Sequence, residues 1–382
     1  MSGWNKQVDN LGVHVYLRAC AFVIIVIGFV TGHTLLFLLG SMYFLYFLVS
    51  YFYLNRVGEK LQFTIVEEKM KLFPGDAGVL KIKIKQPSRL PIYIGRVYFV
   101  VDNNIHFVNG DERTRISQIN IPFSLLGRSE VVIEVPFIAK ARGVARLHQV
   151  ELQITHFLDG GKLYLHKSDV TKFEALIYSE QKHVHGLTRI FPRKQGAFPT
   201  RASIYEDNTN IVGTRDYVNG DSFNKIHWKA TARMNSLQTK QHEKTLQFSW
   251  LIVLDVRSGN LEDRIKGISF LLHYAMKHQI PFSLLINIKK KGAPSYLELP
   301  FGSGKRHLQT ALTILARIQG NSITVGMKSL ERIVYQHAVN SPYVIICADS
   351  DRLNGWKLPT HTSVYILDGY NQLIHWKEVA NG

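Results

Sequence analysis

From Ala19 to Leu54 the chain carries no Asp, Glu, Lys or Arg. A bilayer-spanning helix needs about 20 apolar residues, so the block is too long for one such helix. It suits two helices joined by a tight turn at Thr31-Gly32-His33. The pattern predicts helices over residues 16–30 and 34–53, with Tyr16 and Tyr51-Phe52-Tyr53 at the interfacial levels that amphipathic rings favour. A cleaved leader has an apolar region of only about 7–15 residues. A buried core hairpin would carry a polar stripe, and Phe37 to Val49 shows almost none. Gly28 and Gly32 have the spacing of small residues at helix crossings, but their place beside the turn favours turn chemistry.

Beyond the block the period changes to two. Leu80-Lys81-Ile82-Lys83-Ile84-Lys85 and Val150-Glu151-Leu152-Gln153-Ile154-Thr155 alternate, and Tyr98 to Val101 and Val131 to Val135 are β-branched or aromatic runs. Turn signals at Pro74-Gly75-Asp76, Asn109-Gly110-Asp111 and Asp159-Gly160-Gly161 separate them, and no helical stripe appears between Gln62 and Tyr178. Short alternating strands at this spacing predict an all-β sandwich. From Trp250 strands and helices alternate. Trp250 to Leu254, Phe282 to Ile288, Tyr343 to Ala348 and Val364 to Leu367 read as strands. Helical stripes run through Leu261, Ile265, Ile268, Leu272 and Ala275, through Leu308, Ala311, Leu312 and Leu315, and through Leu330, Ile333, Val334 and Ala338. That alternation predicts a mostly parallel α/β sheet. The fold class is therefore α+β multidomain: a transmembrane hairpin over 1–58, a β-sandwich over 59–178, a basic connector over 179–201 and an α/β domain over 202–382. The connector holds Lys182, Arg189, Arg193, Lys194 and Arg201 with Pro192 and Pro199.

Composition refines this picture. At roughly 150 residues per domain, 382 residues suit two or three units. The 46% hydrophobic and 11% aromatic content excludes a disordered chain. Two cysteines, Cys20 and Cys347, exclude a disulfide scaffold and a Cys-based zinc module. A mean hydropathy near zero excludes a polytopic membrane protein filling the whole chain, but not a small membrane part, because an average hides one long apolar block. The net charge is +17. Lys6 and Arg18 precede the apolar block, and Arg56, Lys60, Lys69 and Lys71 follow it, so the positive-inside rule places both ends in the cytoplasm. The same charge suits acidic lipid, with about 1 kcal/mol per nearby Lys or Arg. Without a recognised motif it does not point to specific nucleic-acid binding.

Candidate chemistry falls in two places. Asp255 and Asp349 directly follow apolar strands, and ligands of open α/β sheets sit at such strand ends. Asp255-Val256-Arg257-Ser258-Gly259 resembles the D-x-S-x-S loop of von Willebrand factor A-like domains, where a carboxylate and hydroxyls hold a divalent cation. Here Arg257 and Gly259 replace the hydroxyl residues, and a guanidinium cannot coordinate a metal. Asp255, Ser258 and Asp349 are thus weak metal candidates, against an Asp255–Arg257 or Asp349–Arg257 pair or an Asp255 helix cap. Gly302-Ser303-Gly304-Lys305 lacks the first glycine and the final hydroxyl of a phosphate loop and reads as a turn before a helix. His183 and His185 lack a third ligand.

The second place is the polar run Arg215-Asp216-Tyr217-Val218-Asn219-Gly220-Asp221 with Ile226-His227-Trp228-Lys229-Ala230-Thr231-Ala232-Arg233. Asn219-Gly220 signals a turn. Asp221 or Ser222 is placed to cap a short helix carrying Phe223, Ile226 and Ala230 on one face, and Trp228 brings a large apolar surface to bury. His227 near Asp216 or Asp221 suits general acid–base work, although no nucleophile stands beside it. A packed polar turn is the simpler reading.

Residues Arg215, Asp216, Tyr217, Gly220, Asp221, Ile226, His227, Trp228, Lys229, Ala230, Ala232 and Arg233, with Leu237 and Lys240 following and then the strand ending at Asp255, resemble the domain of unknown function 58 family. Arg142-Gly143, the Val150 strand and the paired N-terminal helices resemble its layout upstream. Asn224 stands where members often have a basic residue, Arg257 interrupts the serine-rich loop, and His156-Phe157-Leu158-Asp159 lacks the usual Pro-and-Gly ending. The resemblance implies a von Willebrand factor A-like, membrane-anchored protein of the bacterial inner membrane. It also implies an accessory role in assembling or maturing other proteins beside a MoxR-type AAA+ ATPase and a transglutaminase-like protein. No cofactor and no catalytic residue is expected, and the partner is expected at the carboxyl edge of the sheet. The alternatives are a hydrolase using the Asp221/His227 region, and binding to an anionic membrane surface or to nucleic acid.

Overall fold

The computed structural model describes residues 4–9, 13–67, 69–108, 118–156, 161–167, 173–187, 198–199, 206–246, 248–339, 341–360 and 362–376. The turn at 109–111, residues 157–160, and Arg189, Pro192, Arg193, Lys194 and Arg201 of the expected connector lie outside them. The chain divides into two compact units, Met1–Tyr178 and Ser179–Gly382.

The first unit opens with β1 (Asn5–Asp9), α1 (Val13–Thr31) and α2 (Thr34–Arg56). Both helices run past the bounds expected from the sequence. They pack antiparallel and close together: a Cβ on Gly28 would lie 2.5 Å from the Phe37 backbone nitrogen, and one on Gly40 would lie 2.8 Å from Ile25 Cγ1. Gly28 is therefore a packing position, which corrects the turn reading, whereas Gly32, at φ +68°, does sit in the turn. Phe29, Val30, Leu35, Leu38 and Met42 face outward, uncovered by protein. Thr34–Arg56 is long and apolar enough to cross a membrane, with only 17% of its most apolar window buried; the apolar part of α1, Ala19–Thr31, is shorter.

The strands that follow are β2 (Gln62–Ile65), β3 (Lys69–Leu72), β4 (Ala77–Gln86), β5 (Ile92–Val101), β6 (Ile105–Phe107), β7 (Gln118–Leu125), β8 (Ser129–Ala139), β9 (Gly143–Thr155), β10 (Lys162–Lys167) and β11 (Glu174–Ile177). One sheet has the order β2-β4-β8-β6. The other is organised on β9, which pairs with β5, β10 and β11; β7 extends it beyond β5, β1 beyond β10, and β3 joins β11 in parallel. The alternating faces meet in one core. Leu80, Ile82 and Ile84 of β4 and Val135 and Phe137 of β8 join Val97 and Phe99 of β5 and Leu147, Leu152 and Ile154 of β9. On the outer face Lys81 pairs with Glu134 at 3.3 Å and Lys83 with Glu130 at 2.8 Å. Leu54, Val57 and Leu61 enter the same core, so the end of α2 is anchored to the sandwich.

The second unit contains β12 (Phe198–Pro199), β13 (Glu206–Asp216), α3 (Trp228–Met234), β14 (Gln238–Leu246), β15 (Trp250–Leu254), α4 (Leu261–Lys277), β16 (Phe282–Lys289), β17 (Tyr296–Gly302), α5 (Lys305–Arg317), α6 (Met327–Ala338), β18 (Tyr343–Cys347), β19 (Ser363–Leu367) and β20 (Leu373–His375). The main sheet runs β17-β16-β15-β18-β19-β20. Its four central strands are parallel, and β17 and β20 add antiparallel edges. The sheet is thus mixed. β17 is not among the strands expected from the sequence, where Gly302 is read into a turn before a helix; its Pro300 is tolerated because the strand lies at the sheet edge. α6 covers one face, packing Leu330, Val334 and Ala338 on Leu251, Val253, Val344 and Ile346. The other face carries α4, where Tyr274 stacks on Trp250 at 6.1 Å.

The first residues of the expected connector are packed into this unit. Lys182 donates its N–H to the Lys266 carbonyl, Lys266 pairs with Glu180 at 2.6 Å, and His185 donates its N–H to the Asn371 carbonyl. β12, β14 and β13 form a separate small sheet, with the Phe223–Lys225 turn and α3 carried between β13 and β14.

Candidate functional site

Parallel strands end together, so the residues just past β15 and β18 meet those near the end of β16 at one edge. Asp255 follows β15 and is fully buried. Its Oδ1 accepts from the Arg257 backbone N–H at 3.0 Å and from Asn287 Nδ2. Its Oδ2 accepts from Ser258 Oγ at 3.1 Å and from Arg352 Nε at 2.6 Å. Ser258 Oγ in turn accepts the Asp349 N–H at 3.0 Å. Asp349 takes the Gly259 N–H at 2.9 Å on Oδ2 and Arg264 Nη2 on Oδ1. Arg264, only 2% exposed, also donates to the carbonyls of Gly259 and Leu367.

This set does not fit a divalent cation. Every carboxylate oxygen already accepts protein donors, and two guanidinium groups supply the positive charge a metal would bring. No metal-binding group of His, Cys, Asp and Glu occurs among the described residues. The Arg257 pair expected from the sequence is replaced by Arg352 with Asp255 and Arg264 with Asp349. The Arg257 side chain is exposed and makes no bond among the described residues. His183 and His185 come together with ring centroids 4.9 Å apart, without a third ligand among the described residues.

The polar run builds a second cluster. Gly220, at φ +113°, turns the chain so that Asp221 meets Arg215 through two bonds of 2.7 Å. Asp221 Oδ2 also accepts the Val218 N–H at 3.1 Å and Thr239 Oγ1 at 3.0 Å, and Tyr217 donates its hydroxyl to the Asp221 carbonyl. The Arg215 guanidinium, aided by the Val218 N–H, pulls the Asp221 carboxyl down to about 2. A carboxylate held so acidic is a poor proton acceptor at neutral pH. Asp216 accepts from Gln238 Nε2 at 2.5 Å.

His227 is a helix cap. Its Nδ1 accepts the Ala230 N–H at 3.1 Å, and its own N–H goes to the Gln238 carbonyl. Asp221 and Ser222 do not cap α3, since the chain first makes a separate 3₁₀ turn over Phe223–Lys225. Ile226 is buried and bridges to Thr239. Trp228 is not buried: it is 65% exposed, and Phe223 is 72% exposed. Val218, Met234 and Leu237 are exposed as well, with Lys229 and Arg233 on the same short helix.

Residues 213–353 match the family model described as Protein of unknown function DUF58. The DUF58 segment therefore begins within β13 and ends just past Arg352, taking in both clusters. No curated protein matches the chain. Among solved structures, CaCohA2 from Clostridium acetobutylicum aligns at 14% identity and a TM-score of 0.23 over 31% of this chain and 91% of that one. The seventh ScaB type I cohesin from Pseudobacteroides cellulosolvens aligns at 16% and 0.21 over 33% and 97%. The non-cellulosomal cohesin from Archaeoglobus fulgidus aligns at 13% and 0.21 over 31% and 92%. Likenesses at this level say nothing about the chemistry of the DUF58 segment.

Within that segment, Arg215, Tyr217 and Asp221 come together, as do Asp255, Ser258 and Asp349; no bond links the two groups among the described residues. The sequence pattern does not single out Asn287, Arg264 or Arg352. Asn287 lies near the end of the neighbouring parallel strand and was findable by the strand-end rule. Arg264, buried beside the stripe residue Ile265, and Arg352, just after Asp349, gave no periodic signal.

Proposed function

We propose that the chain is a membrane-anchored protein-interaction module of the bacterial inner membrane, with its β-sandwich and DUF58 segment on the cytoplasmic side. It acts as an accessory in the assembly or maturation of other proteins. The observation that carries this reading is the exposed surface of the DUF58 segment around α3, where Val218, Phe223, Trp228 and Met234 stand in solvent beside Lys229 and Arg233. Exposed aromatics flanked by cations suit a partner presenting acidic and apolar side chains. The carboxyl edge is less suited to contact, because its carboxylates are satisfied internally. The MoxR-type AAA+ ATPase implied by the family resemblance is the proposed partner, with a transglutaminase-like protein as a further member.

The test is co-purification of the full chain from detergent with a MoxR-type AAA+ ATPase. Trp228→Ala and Phe223→Ala together should abolish capture, and Arg257→Ala should leave it intact. Capture that is indifferent to the α3 changes would remove this surface from the interaction.

A further inference from the structure

We infer that the cavity beside the cytoplasmic end of α2 is a binding site for one anionic phospholipid. The inference rests on reading α2 as a membrane span. The cavity measures about 730 Å³ and lies within the first unit. Leu48, Val49 and Phe52 line its apolar side, and Arg56, Lys60 and Arg89 line its polar side. Leu48, Phe52 and Arg56 are four residues apart on one helix face, so apolar surface gives way to positive charge along a single line. An acyl chain and a phosphate headgroup present the same sequence of chemistries.

The charge balance favours an anion. Arg56, Lys60 and Arg89 oppose one acid, Glu59, whose negative charge lies near Lys6. None of the three cations has an ion-pair partner among the described residues. Three such charges converging on one hollow against a single acid leave a net positive charge that an anion would neutralise.

The walls are held in place. Val57 and Leu61 are fully buried in the sandwich core on either side of Lys60. The Tyr53 hydroxyl donates to the Pro91 carbonyl at 2.6 Å, Gln86 Nε2 donates to the Leu90 carbonyl at 3.1 Å, and the Leu90 N–H donates to Ser88 Oγ at 3.0 Å. The loop bearing Arg89 is thus tied to the helix that bears Arg56. The hollow continues the outward apolar face of α2, which singles out a lipid over a soluble phosphate.

The test uses the purified full chain in detergent, titrated separately with phosphatidylglycerol, phosphatidylcholine and glycerol phosphate while the thermal midpoint is followed. Phosphatidylglycerol should raise the midpoint, and the other two should not. Arg56→Gln, Lys60→Gln and Arg89→Gln should each weaken the apparent affinity about fivefold. Lys69→Gln and Lys71→Gln, on β3, should leave it unchanged. Arg89→Lys should retain the response, and the lipid-free midpoint of each variant reports folding. Equal responses to phosphatidylglycerol and phosphatidylcholine overturn the proposal, as does an equal response to glycerol phosphate or full affinity in Arg89→Gln. Extraction of the native chain from membranes by carbonate is scored separately: a chain that washes off removes the span itself, whereas one that stays but shows no headgroup preference removes only this site.

Discussion

Arg352 reaches back across 97 residues to place Nε 2.6 Å from Asp255 Oδ2. The carboxylate is buried and the guanidinium is about one-third exposed. The pair joins the end of β15 to the turn after β18. It stands where a metal-dependent adhesion site would need an open carboxylate, so electrostatics that would recruit a cation are used to close the sheet edge.

Arg352→Met should therefore destabilise the α/β unit by about 2 kcal/mol, toward the low end for a broken buried pair because part of the arginine is solvated. Adding Asp255→Asn should recover part of that loss, since no unpaired charge would remain buried. Thermal melts of the two variants and the parent check this; a single variant as stable as the parent would show that water replaces the guanidinium.

Asp221 gives a pH signature. Its carboxyl drops from 3.8 to about 2 in the folded chain. A group whose folded pKa is depressed contributes stability that is complete above the unfolded value and is lost as pH falls through the folded one. The Arg215 link should accordingly persist at pH 4 and dissolve near pH 2. Carboxyl titration by NMR should show that value, and Arg215→Gln should move it back toward 3.8.

His227→Ala should cost about 1 kcal/mol, the worth of a helix cap, and His227→Asn should restore most of it. Proton-transfer chemistry at this histidine would instead appear as an activity that neither stability nor the asparagine variant explains. Hydrogen exchange at the Ala230 amide, which also donates to the His227 carbonyl, should quicken only in part in His227→Ala.

Gly28→Leu and Gly40→Leu should separate α1 from α2, because the added side chains would meet backbone at Phe37 and Ile25. Overpacking of this kind costs about 1–3 kcal/mol. The melting midpoint in detergent should fall for both, while Gly32→Asn, in the exposed turn at φ +68°, should be tolerated.

Cys347 lies fully buried at the end of β18, and burial pushes its thiol up to about 12. The neutral thiol should resist maleimide in the native chain and react only after unfolding. Rapid native labelling at Cys347 would show that the sheet edge opens.

The sequence by itself determined the local elements. The charge-free run of 19–54 dictates paired apolar helices. The alternation in 80–85 dictates a one-faced strand, and the buried runs at 250–254 and 343–347 dictate central strands, because periodicity records which face meets water. Tertiary structure decided the rest. Which arginine answers Asp255 depends on strands β15 and β18 lying side by side, and that choice fell to Arg352 rather than the nearby Arg257. Whether Trp228 is buried depends on what packs over α3, and nothing in its own segment covers it. The role of Gly28 depends on Phe37 crossing it. Local pattern encodes solvent contact residue by residue, whereas partners separated by tens of residues are fixed only when the sheet and helices close.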